Sequence, residues 1–183
     1  MTCQTIFWRG LYHVGYEYAR IDRQDAGWRL DGVAVFTHES TPCRLDYHIQ
    51  CTERWITTNG QVSGWIGAQP VQVTLAVSED RRWRLNDIEC PAVEGCIDLD
   101  LNFSPSTNTL PIRRLSLAVG AAQAVRAAWL RFPSLELEPL EQSYARLAAD
   151  QYRYESAGGQ FTAELNVDSV GFVRNYPGLW VAE

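Results

Sequence analysis

Two aspartates two residues apart, Asp98 and Asp100, and two adjacent arginines, Arg113 and Arg114, bracket a chemically loaded stretch of this 183-residue chain. Between them lies Ser104-Pro-Ser-Thr107-Asn108-Thr109, hydroxyls and one amide bounded by Pro105 and Pro111. Carboxylates at i and i+2 of a strand project from one face. There they can accept hydrogen bonds from sugar hydroxyls or act as an acid–base pair on a glycosidic bond, which requires carboxyl groups ~5–9.5 Å apart. The same carboxylates can instead pair with Arg113 and Arg114, because a guanidinium meets a carboxylate through two parallel hydrogen bonds. Thr107 and Asn108 can hold a polar head group or satisfy the backbone of their own loop. The residues themselves leave both readings standing.

Other groups are weaker as sites. Arg81-Arg82-Trp83-Arg84 could engage a phosphate beside an indole, or form a solvated charge cluster at a corner after Glu79-Asp80. Of the three histidines, His48 lies near Asp46 and Cys51, but His48 and Cys51 fall on opposite strand faces, so a shared zinc is not expected. No GxSxG elbow and no GxGxxG loop occurs. All sixteen basic residues are arginine. This excludes Schiff-base catalysis and a P-loop lysine. A net charge of −6 argues against nucleic-acid partners and anionic membranes. We therefore expect no catalytic residue, metal or cofactor.

The elements that must position these groups are mainly strands. Cys43–Thr52 alternates cleanly, with Cys43, Leu45, Tyr47, Ile49 and Cys51 inward. Ile97, Leu99, Leu101 and Phe103 alternate against Cys96, Asp98, Asp100 and Asn102. Further strands are expected at Ile6–Arg9, Tyr16–Ile21, Trp28–Leu30, Val33–Thr37, Trp55–Thr58, Gln61–Trp65 and Val71–Val77, and in a meander at Gln151–Glu155, Gln160–Val167 and Gly171–Asn175. Asp31-Gly32 and Asn59-Gly60 read as hairpin turns. Alanine-rich 120–132 and the segment 140–149 fit a short helix or a strand. Seven Trp, eight Tyr and six Phe suit pleated sheets and also line pockets. Length favours one domain, 1–183. The odd cysteine count without CxxC implies reduced thiols. The N-terminal MTCQTIFWRG has neither a basic nor an apolar leader region, and no apolar run approaches the ~20 residues of a membrane helix, so a cytoplasmic chain without an integral membrane segment is expected.

Cys96-Ile-Asp98-Leu-Asp100-Leu and Pro105-Ser-Thr107-Asn108-Thr109-Leu-Pro111-Ile-Arg113-Arg114-Leu115 resemble a bacterial family described as putative glycolipid-binding proteins. Ala128-Trp129, Gln142-Ser-Tyr144, Tyr152-Arg-Tyr154, Val167-Asp168 and Tyr176-Pro177-Gly178 extend the likeness from end to end. The resemblance implies a spiral β-roll, one long antiparallel sheet curled into a half-barrel and similar to carriers that move lipoproteins between bacterial membranes. The expected function is non-enzymatic binding of an amphipathic, glycolipid-like small molecule in the concave face. Asp98, Asp100, Thr107, Asn108, Arg113, Arg114, Trp129 and Tyr144 are the expected ligand contacts. The alternatives are a hydrolase acting on a sugar or ester through Asp98 and Asp100, and a protein-interaction scaffold.

Overall fold

The structure is a computed structural model and describes residues 3–183. Eight strands come first: β1 (Gln4–Gly10), β2 (Gly15–Gln24), β3 (Gly27–His38), β4 (Thr41–Cys51), β5 (Thr57–Ile66), β6 (Gln69–Val77), β7 (Trp83–Leu85) and β8 (Ile88–Glu89). Then come β9 (Asp98–Leu101), a 3-10 turn over Pro105–Asn108 and the only α-helix among the described residues, α1 (Thr109–Leu115). Six strands complete the chain: β10 (Ala122–Arg131), β11 (Glu136–Ala148), β12 (Gln151–Ser156), β13 (Phe161–Val167), β14 (Val173–Tyr176) and β15 (Trp180–Ala182). All belong to one 15-stranded sheet in the order β8 to β1, then β15 back to β9. Every ladder is antiparallel except β9 with β10.

The sheet rolls up far enough for its β9 edge to meet the middle of the first half. The Thr57 amide on β5 donates to the Ile97 carbonyl at 3.3 Å, and the Leu99 amide on β9 donates to Thr57 Oγ1 at 3.2 Å. Arg81, expected in an anion-binding or solvated cluster, turns inward and caps this seam. Its guanidinium donates to the carbonyls of Thr57, Cys96 and Ile97 at 2.8–3.1 Å. Arg82 and Arg84 pair instead with Asp80 and Glu89 at the surface, and Trp83 is buried.

Two glycines act differently from the expectation. Asp31-Gly32 and Asn59-Gly60 do not turn the chain; β3 and β5 run straight through them. A Cβ on Gly32 would lie 2.2 Å from the Tyr47 hydroxyl, and one on Gly60 would lie 3.0 Å from Leu99 Cδ2. Both glycines admit a neighbour's side chain against the strand, the other reason for glycine within a sheet.

The regions 120–132 and 140–149 are strands β10 and β11. Helix propensity differs by less than ~1 kcal/mol between most residues, and here it loses to pairing on both edges and to burial of Ala127 and Ala128. The helix forms instead at Thr109–Leu115. Pro111 is its third residue, where the amide has no intrahelical acceptor to lose. It ends at Ser116, whose left-handed conformation lets its amide reach the Ile112 carbonyl at 3.2 Å. Arg113 and Arg114 fall in the last turn, where positive charge favours the helix dipole.

The interior of the roll is occupied. Residues from Phe103 to Ile112 are all buried and cross the concave face between the two halves of the sheet. Phe103 packs near Phe36 and Tyr47 on one side. On the other, the Tyr144 hydroxyl of β11 donates to Asn108 Oδ1 at 2.9 Å. An open hollow there would leave large apolar surfaces in water, and each ring of ~150–250 Å² buried at about 25 cal/mol per Å² favours filling by about 4–6 kcal/mol. Within the roll, two cavities remain toward its ends.

Candidate ligand-binding site

Strand register defines these ends. Gly10, Phe36, Leu101, Leu130, Ser156, Phe161, Tyr176 and Trp180 lie toward one, here the Trp180 end. Gln4, Ile21, Trp28, Cys51 and Val167 lie toward the other, the Trp28 end.

A cleft of about 290 Å³ opens at the Trp180 end. Successive strands each place residues on its wall: Asp100 from β9, Trp129 from β10, Leu140 from β11, Tyr154 from β12, Phe161 from β13, Tyr176 from β14 and Trp180 from β15. Asn102, Ser104, Pro105 and Asn108 complete it from the crossing segment. Tyr154, Phe161 and Tyr176 form a mutual aromatic cluster with centroids 6.0–6.1 Å apart. Burial pushes the Tyr154 and Tyr176 phenols upward, so both stay protonated and able to donate.

The wall carries one carboxylate, Asp100. Burial pushes it up to about 6; the Gln142 amide, donating to Oδ2 at 2.6 Å, pulls it down, and the charge of Asp98 adds to the rise. No cation pairs with it among the described residues. Asp98 is placed differently. Its carboxylate is buried and gripped by Arg114, Nε to Oδ1 at 2.9 Å and Nη2 to Oδ2 at 2.5 Å. Burial pushes the Asp98 carboxyl up, and Arg114 pulls it back. With Asp98 held this way, Asp98 and Asp100 do not form a hydrolytic pair. The expectation of a hydrolase acting through them is set aside.

The eight expected contacts thus separate. Asp100, Asn108 and Trp129 line one cleft, and Tyr144 stands behind it, bonded to Asn108. Thr107 serves its own segment: its Oγ1 accepts from the Leu101 amide at 3.2 Å and donates to the Ser104 carbonyl at 3.4 Å. Arg114 is committed to Asp98. Arg113 lies at the Trp28 end, its guanidinium 5.2 Å from the centre of the Trp55 ring.

The expected contacts did not include the cleft's Tyr154, Phe161 and Tyr176; Trp180 was expected only as one of several tryptophans able to line an apolar cavity, and Glu17 only as a strand residue. Glu17 is fully buried on β2. Its Oε1 accepts from Tyr47 at 2.6 Å and from Ser104, a cleft residue, at 2.5 Å. Ser106 Oγ lies 2.7 Å from Tyr47 and 2.6 Å from Ser104, closing the group. Burial pushes Glu17 up to about 8, against the pull of both hydroxyls, so it is largely neutral at pH 7. Oε2 has no protein partner. The available signal was the small residues around it. Gly15, Glu17, Ala19 and Ile21 share the inward face, while Tyr16 and Tyr18 point outward.

A family model described as "Putative glycolipid-binding" matches residues 5–182. The chain belongs to this family. A crystal structure of a DUF1089 family protein from Pseudomonas aeruginosa matches with a TM-score of 0.79 at 32% identity, over 89% of this chain and 90% of that chain. Comparison with curated proteins gives no match. The span that carries the family match includes every residue of the Trp180-end cleft.

Proposed function

We propose that this protein binds an amphipathic, glycolipid-like molecule without transforming it, holding the sugar head in the cleft at the Trp180 end. The observation that carries the reading is the pairing of an aromatic wall with a lone uncompensated carboxylate and an amide, Asp100 and Asn108. Sugar rings offer C–H faces that pack on aromatic rings and hydroxyls that donate to a charged acceptor, a stronger bond than one between neutral groups. Volume favours a head group over a tail. About 290 Å³ is at the small end of the ~300–1,000 Å³ typical of pockets that bury a ligand, and the middle of the roll is filled by protein. The acyl portion then lies along the apolar rim rather than through the sheet.

Octyl glucoside below its micellar concentration is a suitable probe, followed by tryptophan fluorescence and calorimetry. Saturable binding is expected, strongly weakened by Trp129→Ala, and by about tenfold in Asp100→Asn through loss of a charge-assisted hydrogen bond. Equal affinity for a sugar-free amphiphile of the same chain length would defeat the proposal.

A further inference from the structure

The opposite end of the roll holds a second cavity, of about 270 Å³, and its chemistry is inverted. Trp28 and Trp55 stack there with ring centres 4.6 Å apart and planes at 18°. The Arg23 guanidinium sits 5.4 Å from the Trp28 ring centre, and that of Arg113 sits 5.2 Å from Trp55. Gln4 and Ser169 add polar groups, and no carboxylate lines the space. Two acids beside it, Glu53 and Asp168, are engaged. Glu53 pairs with Arg23 at 2.8 Å, and Asp168 Oδ1 accepts the amides of Val170, Gly171 and Phe172, each at 2.9 Å.

Arg113 stands apart from the other arginines. Among the described residues, Arg54, Arg113 and Arg174 make neither an ion pair nor a side-chain hydrogen bond, and Arg54 and Arg174 are exposed at the surface. Arg113 alone of these is half-buried, and it lines the cavity with its guanidinium beside Trp55. A guanidinium is weakly hydrated and planar, and its fork fits the paired oxygens of a phosphate or carboxylate. The chain's net charge of −6 does not oppose this at close range, since charges beyond a Debye length of ~8 Å are screened at physiological salt.

We infer that the cavity at the Trp28 end is a second binding site, for an anionic group of the phosphate or carboxylate class, held by the Arg113 guanidinium beside the Trp28–Trp55 stack. The inference rests on Arg113 and its cavity, not on the glycoside reading of the other end. Failure of octyl glucoside to bind leaves it intact.

The test titrates the full chain with inorganic phosphate, short-chain phosphatidic acid and hexanoate, reading the Arg113 Nε–H resonance and tryptophan fluorescence. A saturable shift of that resonance with at least one of these anions is expected, weakening as salt rises. Equal affinity for inorganic phosphate and phosphatidic acid would support a site for the free ion, and tighter binding of phosphatidic acid a site for an anionic amphiphile. Arg113→Gln should lose about tenfold or more. Arg113→Lys, which keeps the charge and loses the fork, should fall between. No saturable shift with any of the three below about 10 mM, or an Arg113→Gln protein that folds and binds as the wild type does, would overturn the site. Should Arg113→Gln fail to fold, the wild-type resonance decides.

Discussion

At the Trp180 end the wall comes from seven successive strands, and the charged group on it is a carboxylate. At the Trp28 end two stacked indoles form the wall, and the ionisable groups are guanidinium ions. Both ends draw on the same crossing segment and its flanks, which carry two aspartates and two arginines. Asp98 and Arg114 neutralise each other inside, so that one acid and one base remain. Asp100 faces one opening and Arg113 the other. Residues adjacent or nearly adjacent in sequence thus have opposite fates, and pairing rather than residue type decides which of them is left facing a cavity.

That contrast can be broken most severely at Asp98. Asp98→Asn leaves Arg114 charged and unpaired inside the protein, an expected loss of about 3–5 kcal/mol, read by urea denaturation. A loss under about 1 kcal/mol would mean that the pair is not the tie described. Gly32→Ala comes next. The added methyl collides with the Tyr47 hydroxyl, and overpacking of this kind costs about 1–3 kcal/mol. The same clash should disturb the Tyr47–Glu17 contact, so the thermal midpoint should fall; an unchanged midpoint would contradict the close approach.

Glu17 offers an effect spread over a pH range, with a defined sign. Its folded value of about 8 lies above the unfolded 4.5, so its contribution is complete below pH 4.5 and is lost as pH rises through 8. Wild-type stability should therefore decline between these values by at most about 1.4 kcal/mol per pH unit from this group. Glu17→Gln, which keeps an acceptor for Tyr47 and Ser104 without a charge, should flatten that slope. A slope unchanged in the variant would remove Glu17 as its source.

A smaller pH-linked effect is expected at Asp100. Its folded value of about 6 is again above the unfolded 3.8, so its contribution is full below pH 3.8 and fades as pH rises through 6. Asp100→Asn should be as stable as wild type or more so above pH 6, the reverse of Asp98→Asn. Destabilisation of similar size in both variants would erase the distinction between the two carboxylates.

Much of the sheet was legible because alternation reports burial directly. Cys43, Leu45, Tyr47, Ile49 and Cys51 are all buried as their spacing required, and the C-terminal meander forms near its expected bounds. Local turn and helix signals were less reliable. Gly32 and Gly60 answer to Tyr47 and Leu99, residues on other strands that no local window contains. Ala127 and Ala128 of β10 are buried, with paired strands on either side. The site was legible in part. Asp100, Asn108 and Trp129 share a cleft, but its remaining aromatics come from strands far apart in sequence.

Residue order alone determined a β-rich chain, its inward faces and a segment crowded with acids, hydroxyls and arginines, because period-two patterning and side-chain chemistry are local properties. Only the rolled tertiary structure decided that this segment fills the interior, that Asp98 takes Arg114, and that Asp100 and Arg113 are left at opposite ends. Those outcomes depend on which strands the curl brings face to face. Desolvation then enforces them, since a charge carried into the interior must find a partner or be neutralised by a change of protonation.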